Sequence, residues 1–317
     1  MKITTIGGGT GQFILLTALK DIENIDLTSV VSMVDSGGST GKLRDQYGVL
    51  PPGDILKCLI ALSPYKEARQ ILQSRFESNE KLKNHNSGNL LLTFLTQRLG
   101  DDFPSAVEAM GEILNIKGKV FPVTIDKSTL VAELENGEYV YSESAIDIVR
   151  QGQGKISKTF LVPHGGRLQV YPPVLDAIEN ADYIFLGPGD LFTSIIPNFL
   201  VRGVREALQK TNAKIVYVLN IMTKFGETDG FTAEKFVSEI EKYIERPVDI
   251  VIANKKIPDE VILVKYNHEN SRPVVFDLQD NLIDKNIVLE DLIFEGDLAR
   301  HDVEKLKNVI LELFTKE

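Results

Sequence analysis

Glycine runs placed directly after apolar stretches are the residues of this chain whose spacing suits contact with an anionic small molecule. Gly7-Gly8-Gly9-Thr10-Gly11 follows Ile3–Ile6 and precedes Phe13, Leu15, Leu16 and Leu19. Strand, glycine turn and helix in that order bring backbone N–H groups to a helix N-terminus, where amides and helix dipole attract phosphate. The plain alternative is a tight strand–helix turn with no ligand. A second run, Asp35-Ser36-Gly37-Gly38-Ser39-Thr40-Gly41, ends the β-rich segment Leu27–Val34. Gly187-Pro188-Gly189-Asp190, continuing to Thr193 and Ser194, follows Tyr183–Leu186, and the polar loop Asn220–Gly230 follows Lys214–Leu219. Loops at the carboxyl ends of parallel strands converge on one crevice. These four are therefore expected to build a single site.

Known phosphate motifs fit it incompletely. Gln12 stands where a dinucleotide fingerprint needs its third glycine, although Asp35 keeps the place of an acid that meets a ribose. Gly41-Lys42 resembles the tail of a Walker loop, but Ser36 replaces the upstream glycine and Leu43 the Ser/Thr. Asp35 and Asp54 sit at element ends beside glycine, where a carboxylate can hold Mg²⁺ on a diphosphate or orient a hydroxyl; helix capping is the competing role. Asp190, Glu227 and Asp229 are further loop acids, with plain solvation as the alternative. His85 and Asn89 bracket a helix start, and a lone histidine there reads first as structural. Cys58 lies in an apolar helical pattern and reads as a small buried hydrophobe. Arg300-His301 opens the last helix, where Arg300 either clamps a phosphate or faces solvent.

The 317 residues are enough for about two domains, or one large α/β domain with an insertion. Lys+Arg 35 against Asp+Glu 45 gives a net charge of −10, which argues against nucleic acid as the main partner. A single cysteine excludes an internal disulfide and a cysteine-based zinc site; the four histidines stand far apart with no H-E-x-x-H. No G-x-S-x-G nucleophile elbow occurs. No apolar run reaches the roughly 18–20 residues of a membrane span, and the N-terminus lacks the apolar region of a signal peptide. A cytoplasmic protein is expected.

The elements that position the loops read as an α/β chain. Pro51-Pro52-Gly53-Asp54 opens a helix bearing Ile55, Leu56, Leu59, Ile60 and Leu62. Gly88-Asn89 precedes another, with Leu90, Leu91, Phe94 and Leu95 on its apolar side and Gly100 closing it. Ser105-x-x-Glu108 reads as a capping box. From Lys119 the period changes to alternation. Leu130, Ala132 and Leu134, a type I′ turn signal at Asn136-Gly137, and Tyr139 and Tyr141 predict a hairpin, with a third strand over Lys158–Val162. The expectation is a Rossmann-like, mostly parallel sheet with helices on both faces, formed by residues 1–118 plus 173–317. A small antiparallel β insertion is expected over 119–172.

The loops together resemble the YvcK/CofD family over nearly the whole chain. The carriers are Gly7–Gly11; Asp35-Ser36-Gly37-Gly38-Ser39-Thr40-Gly41-Lys42-Leu43-Arg44; Pro51-Pro52-Gly53-Asp54-Ile55; and His85 with Gly88-Asn89-Leu90. To these are added Gly187-Pro188-Gly189-x-Leu191-x-Thr193-Ser194 and Met222-Thr223-x-x-Gly226-Glu227-Thr228-Asp229-Gly230. The chain is more similar to the YvcK branch than to CofD. That resemblance implies a cytosolic bacterial protein needed for gluconeogenic growth and cell shape. It also implies that a UDP-sugar such as UDP-N-acetylglucosamine is bound, with Arg300 as a contact. CofD relatives instead transfer a 2-phospho-L-lactyl group from a nucleotide diphosphate-linked donor, with Mg²⁺. Ser36 departs from the family's second Asp, and Asp190 from a common Ser.

Two readings follow. In the first, the amides of Gly8, Gly9, Thr10 and Gly11 and of Gly187 and Gly189 hold a polyanionic nucleotide sugar. Asn220, Thr223 and Arg300 add polar contacts, Asp35 reaches a ribose or a metal, and Gly37, Gly38, Asn89, Asp190, Thr193 and Ser194 complete the wall. The Asn220–Gly230 loop then reports occupancy to a protein partner, with a homo-oligomer also allowed. In the second, the crevice is a CofD-type transferase site in which Asp35 or Asp54 places Mg²⁺. A nicotinamide-dependent oxidoreductase is weaker, since its fingerprint is broken.

Overall fold

The computed structural model describes residues 1–77, 82–148, 154–278 and 286–315. Among them are ten strands: β1 (Lys2–Gly7), β2 (Asp26–Val31), β3 (Lys119–Pro122), β4 (Ser128–Leu134), β5 (Tyr139–Tyr141), β6 (Ile156–Pro163), β7 (Tyr183–Leu186), β8 (Lys214–Val218), β9 (Ile250–Asn254) and β10 (Asn286–Glu290). Seven form one sheet in the order β10-β9-β8-β7-β1-β2-β3. Every pairing in it is parallel. β1 and β7 bury nearly every side chain, as a sheet covered on both faces requires. From β1 the chain steps outward to β2 and β3, and from β7 in the opposite direction to β8, β9 and β10. The order therefore reverses between β1 and β7, and right-handed crossovers put the two sets of helices on opposite faces. Helix Gly9–Leu19 packs between helices Gly53–Leu62 and Val303–Thr315; helix Val204–Lys210 packs between Pro172–Glu179 and Ala233–Ile244.

Gln12, the residue that breaks the fingerprint, is fully buried under this sheet. Its Nε2 donates to Thr5 Oγ1 at 2.7 Å and to Ser29 Oγ at 3.1 Å, tying the first helix to β1 and β2. A polar anchor thus replaces the close helix–strand contact that a third glycine would permit.

Several local readings need correction. β3 belongs to the parallel sheet, beside β2, so antiparallel structure begins only at Ser128. The hairpin is present, with Val131 opposite Tyr141 and Glu133 opposite Tyr139. Its turn is different: the Gly137 amide donates to the Leu134 carbonyl, and only Gly137 takes a positive φ, of 84°. That is a type I turn closed by a left-handed glycine, not the type I′ turn that Asn136-Gly137 suggests. Helix Ser87–Arg98 buries Leu92, Thr93 and Thr96 and leaves Phe94 exposed, because Asn89 faces inward and sets the phase. Asp102, rather than Ser105, caps the next helix: its Oδ1 accepts the Ser105 amide. The helix Glu143–Ile148, which follows the hairpin directly, has no counterpart in the sequence reading.

Candidate functional site

Helix Gly9–Leu19 starts beside β1, and the Gly187–Gly189 turn ends β7, so the two flank the point where strand order reverses. They touch. A Cβ on Gly11 would lie 2.0 Å from the Pro188 carbonyl oxygen, and one on Gly189 would lie 3.5 Å from the Gly8 carbonyl oxygen. Gly9 has φ of +69° and faces Ser194 Oγ at 3.6 Å from its ideal Cβ position. Neither this helix nor helix Gly38–Tyr47, which begins after Gly37, carries a side-chain cap on its first turn. First-turn amides are the groups that take a phosphate. A crevice of about 200 Å³ opens here, lined by Thr10, Gly11, Gly189, Asp190, Asn220 and Arg300 among others. Asn220 Nδ2 donates to the Gly189 carbonyl at 2.8 Å, while its buried Oδ1 has no partner. His301, behind Arg300, is buried with Nε2 at 3.1 Å from the Leu219 carbonyl; burial lowers its pKa to about 4, so it is a neutral donor.

Asp35 and Asp54 meet from the other side of Gly8. Asp35 Oδ1 accepts the Gly37 amide at 3.0 Å, and Asp54 Oδ1 accepts from Lys57 Nζ at 2.9 Å. The remaining oxygens point at backbone. A Cβ on Gly8 would lie 2.8 Å from Asp54 Oδ2, and one on Gly53 would lie 2.5 Å from Asp35 Oδ2. Asp54 makes no capping bond; its partner is Lys57, one turn along the same helix. Burial, then the Asp54 charge, raises the Asp35 pKa. Glu143 stands close by and accepts the Ser36 amide at 3.2 Å; burial and Asp35 push it up to about 7. Ser36, which departs from the family's second Asp, serves instead as the dock for the short helix: the Ser144 amide donates to its Oγ at 2.9 Å.

A second acidic group sits beyond Glu143. Oxygens of Asp147, Asp190 and Glu227 lie within 4.8 Å of one another, and Lys224 Nζ occupies their midst at 2.5, 2.6 and 2.8 Å respectively. Burial works to lower the Lys224 pKa, but the three carboxylates, Glu227 foremost, raise it well above its ordinary value. Lys224 offsets the negative charge that Asp190 brings to the crevice. Solvation is therefore the wrong role for Glu227, which is buried and also accepts from Thr193 Oγ1 at 3.1 Å. Asp229 caps its own turn by accepting the Gly226 amide at 2.7 Å.

The structure thus gathers Gly8, Gly9, Thr10, Gly11, Asp35, Gly37, Asp54, Gly189, Asp190, Ser194, Asn220 and Arg300 around one rim. Gly187 does not join them: it is buried and its amide donates to the Ile6 carbonyl at 3.2 Å, continuing the pairing of β7 with β1. Gly38 is exposed at its edge, and Asn89 reaches the rim only through Ser39, to whose Oγ its Nδ2 donates at 3.4 Å. His85 also meets Ser39 Oγ, at 2.9 Å; burial, Lys42 and Arg75 lower its pKa. Thr193 turns inward to Glu227. Thr223 spends its amide and hydroxyl on the Arg272 backbone, at 2.7 and 3.0 Å, and anchors the loop. Cys58 is fully buried, with its thiol pushed up to about 12. The last helix begins at Val303, so Arg300 sits on the preceding segment. Lys57, Glu143, Asp147 and Lys224 escape sequence reading. Only Lys57 leaves a trace there, as a cation three residues after Asp54 in an apolar helix. A wider hollow of about 910 Å³ along β3 contains none of these residues.

In doubly wound α/β folds ligands are received outside the carboxyl ends of the strands, where the order reverses, and the uncapped start of helix Gly9–Leu19 stands at that point here. The family model for 2-phospho-L-lactate transferase CofD matches residues 3–293, and the chain belongs to that family. Among its relatives, a putative gluconeogenesis factor of Thermotoga maritima is 42% identical, and the gluconeogenesis factor of Bacillus subtilis is 38% identical. Each alignment covers 98% of both chains. A crystal structure of a UPF0052 family member from Bacillus halodurans superposes with a TM-score of 0.91 at 35% identity, covering 98% of each chain. Among the described residues no helix is long and apolar enough to cross a membrane.

Proposed function

We propose that this chain is a cytoplasmic regulatory protein of gluconeogenic growth and cell shape that binds a nucleotide sugar of the UDP-N-acetylglucosamine type in the crevice. The observation that carries this reading is the rim between the helix start at Gly8–Gly11 and Gly189, with Arg300 and Asn220 beside it. The gluconeogenesis factors among the relatives, alike over their full length, supply the physiological context. The crevice takes one part of the ligand, and the diphosphate crosses the uncapped helix starts toward Asp35. Lys224 links the Asn220–Gly230 loop to both neighbouring segments, so occupancy near Asp190 biases that loop, and a partner reads the change. Titration calorimetry with UDP-N-acetylglucosamine tests this: saturable binding with no product formed supports it, and absence of binding overturns it. Growth of a deletion strain on a gluconeogenic carbon source, restored by wild type and not by Arg300→Ala, tests the context.

A second reading, a CofD-type transferase, rests on Asp35 and Asp54. Both offer hard carboxylate oxygens; Lys57 pairs with Asp54, while burial and the Asp54 charge raise the Asp35 pKa. Those residues fit Mg²⁺, which would neutralise a donor diphosphate when bound. Helix-start amides would then orient the donor, and ionised Asp35 or Asp54 would orient the accepting hydroxyl. Phosphodiester formation from a guanosine diphosphate-linked donor and a deazaflavin alcohol would establish this reading in place of the first.

A further inference from the structure

A separate cavity of about 440 Å³ opens where β6 meets helices Ile196–Phe199, Val204–Lys210 and Ala233–Ile244. It shares no lining residue with the crevice. Its charged wall is Lys158, Arg202, Arg205 and Lys242 against one carboxylate, Glu206, in a chain whose net charge is −10. Glu206 is committed locally, since it accepts the Gly203 amide at 3.0 Å. Lys158, Arg205 and Lys242 are held at the rim by Glu133, Glu245 and Glu239, at 3.0, 2.7 and 2.8 Å. Arg202 is exposed and has no ion-pair partner among the described residues.

A second observation comes from the cavity's inner wall. Thr159 is 3% exposed, and its Oγ1 is buried with no hydrogen-bond partner. Its amide donates to Tyr243 Oη at 3.0 Å, which fixes this edge of β6 against the helix bearing Tyr243. A buried hydroxyl normally finds a partner, because leaving it unpaired keeps the full desolvation penalty. Among cations, a hydroxyl left in that state is suited to donate to an anionic oxygen. Phe199, Leu200 and Tyr243 supply an apolar side wall beside the charges. The volume lies within the range of small-ligand pockets.

We propose that this seam binds a phosphomonoester: Arg202 pairs with the phosphate, Thr159 Oγ1 donates to one of its oxygens, and the organic part packs on Tyr243 and Phe199. Such a ligand bridges the antiparallel strands and the helices behind them. The site is independent of the nucleotide-sugar crevice.

Titration calorimetry on the full chain tests this with glucose 6-phosphate as probe and inorganic phosphate as comparison. The expected result is saturable binding of the ester, weaker binding of phosphate alone, and at least a tenfold loss in Arg202→Ala. Thr159→Val should bind the ester several-fold more weakly while keeping the unliganded melting temperature. Should Thr159→Val fail to fold, the exposed Arg202→Ala carries the test alone. Arg300→Ala, in the crevice, should leave ester binding unchanged. No saturable binding, an unaffected Arg202→Ala, phosphate binding as tightly as the ester, or loss in Arg300→Ala would each overturn the proposal.

Discussion

Lys224 Nζ stands 2.8 Å from a carboxylate oxygen of Glu227, whose side chain is 1% exposed. The same ammonium reaches Asp147 on the short helix after the hairpin and Asp190 after β7. One cation therefore joins the antiparallel unit, the β7 turn and the loop after β8. It also balances the charge of Asp190 beside the uncapped start of helix Gly9–Leu19.

Lys224→Met keeps most of the stem and removes the charge. Glu227 is then a buried carboxylate without its partner, a change that costs about 3–5 kcal/mol when no relief is available. Protonation is the available relief, so the loss should shrink as pH falls. Urea unfolding at pH 8 and pH 5.5 should show a larger deficit at pH 8. Equal deficits at both values would mean that Glu227 is neutral or solvated already.

Glu143 carries a pH dependence of known sign. Its folded pKa, about 7, lies above its ordinary 4.5. Between those values the folded chain binds the extra proton, so this group's contribution to stability falls as pH rises through 7. Glu143→Gln keeps an oxygen to accept the Ser36 amide and removes the charge that titrates. The variant should melt higher than wild type at pH 8, with the gain fading by pH 5.5. A pH-independent difference in melting temperature would remove Glu143 from the acidic group around Asp35.

What sequence made legible was set by local chemistry. Glycine runs after apolar strands announced Gly7–Gly11, Asp35–Gly41 and Gly187–Gly189 because conformational freedom and helix starts are local properties. The parallel sheet followed from the α/β rhythm, and the hairpin from alternation around Asn136-Gly137. Lys224, Glu143 and Asp147 gave no such sign. Their meaning depends on partners from Asp35 to Glu227 in the chain, and charged residues in loops ordinarily face water. Thr223 misled for the same reason: position in a polar loop does not reveal that Arg272 takes both its polar groups. The buried face of helix Ser87–Arg98 was misread because three polar residues, Asn89, Thr93 and Thr96, point inward.

Gly11 tests the contact between the two loops at the reversal point. A methyl group there would overlap the Pro188 carbonyl, at 2.0 Å from its oxygen. Backbone is on the receiving side, so no flexible side chain can give way. Gly11→Ala should therefore cost about 1–3 kcal/mol in stability and weaken nucleotide-sugar binding with it, read as a lower melting temperature and a raised Kd. Gly38→Ala is the contrast, since its ideal Cβ meets nothing within 4 Å. Its penalty comes only from a φ of +46° and should leave the crevice intact. If Gly11→Ala melts and binds like wild type, the Gly187–Gly189 turn does not pack on the helix start as described.

Arg300 separates a phosphate clamp from a solvated side chain. It is exposed, lines the crevice with Thr10 and Asn220, and projects from the segment held by buried His301. A charge-assisted bond to a phosphate oxygen contributes about 1.5–3 kcal/mol, so Arg300→Ala should raise the Kd for UDP-N-acetylglucosamine roughly tenfold to a hundredfold. Arg300→Lys distinguishes geometry from charge: a bidentate contact is lost with the planar fork, whereas a simple point charge survives. A Kd for the lysine variant near that of alanine indicates a two-point clamp, and one near wild type a monodentate contact. Equal affinity of wild type and Arg300→Ala removes Arg300 from the site and leaves the helix-start amides as the anchor. Unfolding midpoints should differ little among the three proteins, because among the described residues the exposed guanidinium makes no hydrogen bond or ion pair; burial raises the Tyr266 pKa, and the Arg300 charge only offsets part of that rise.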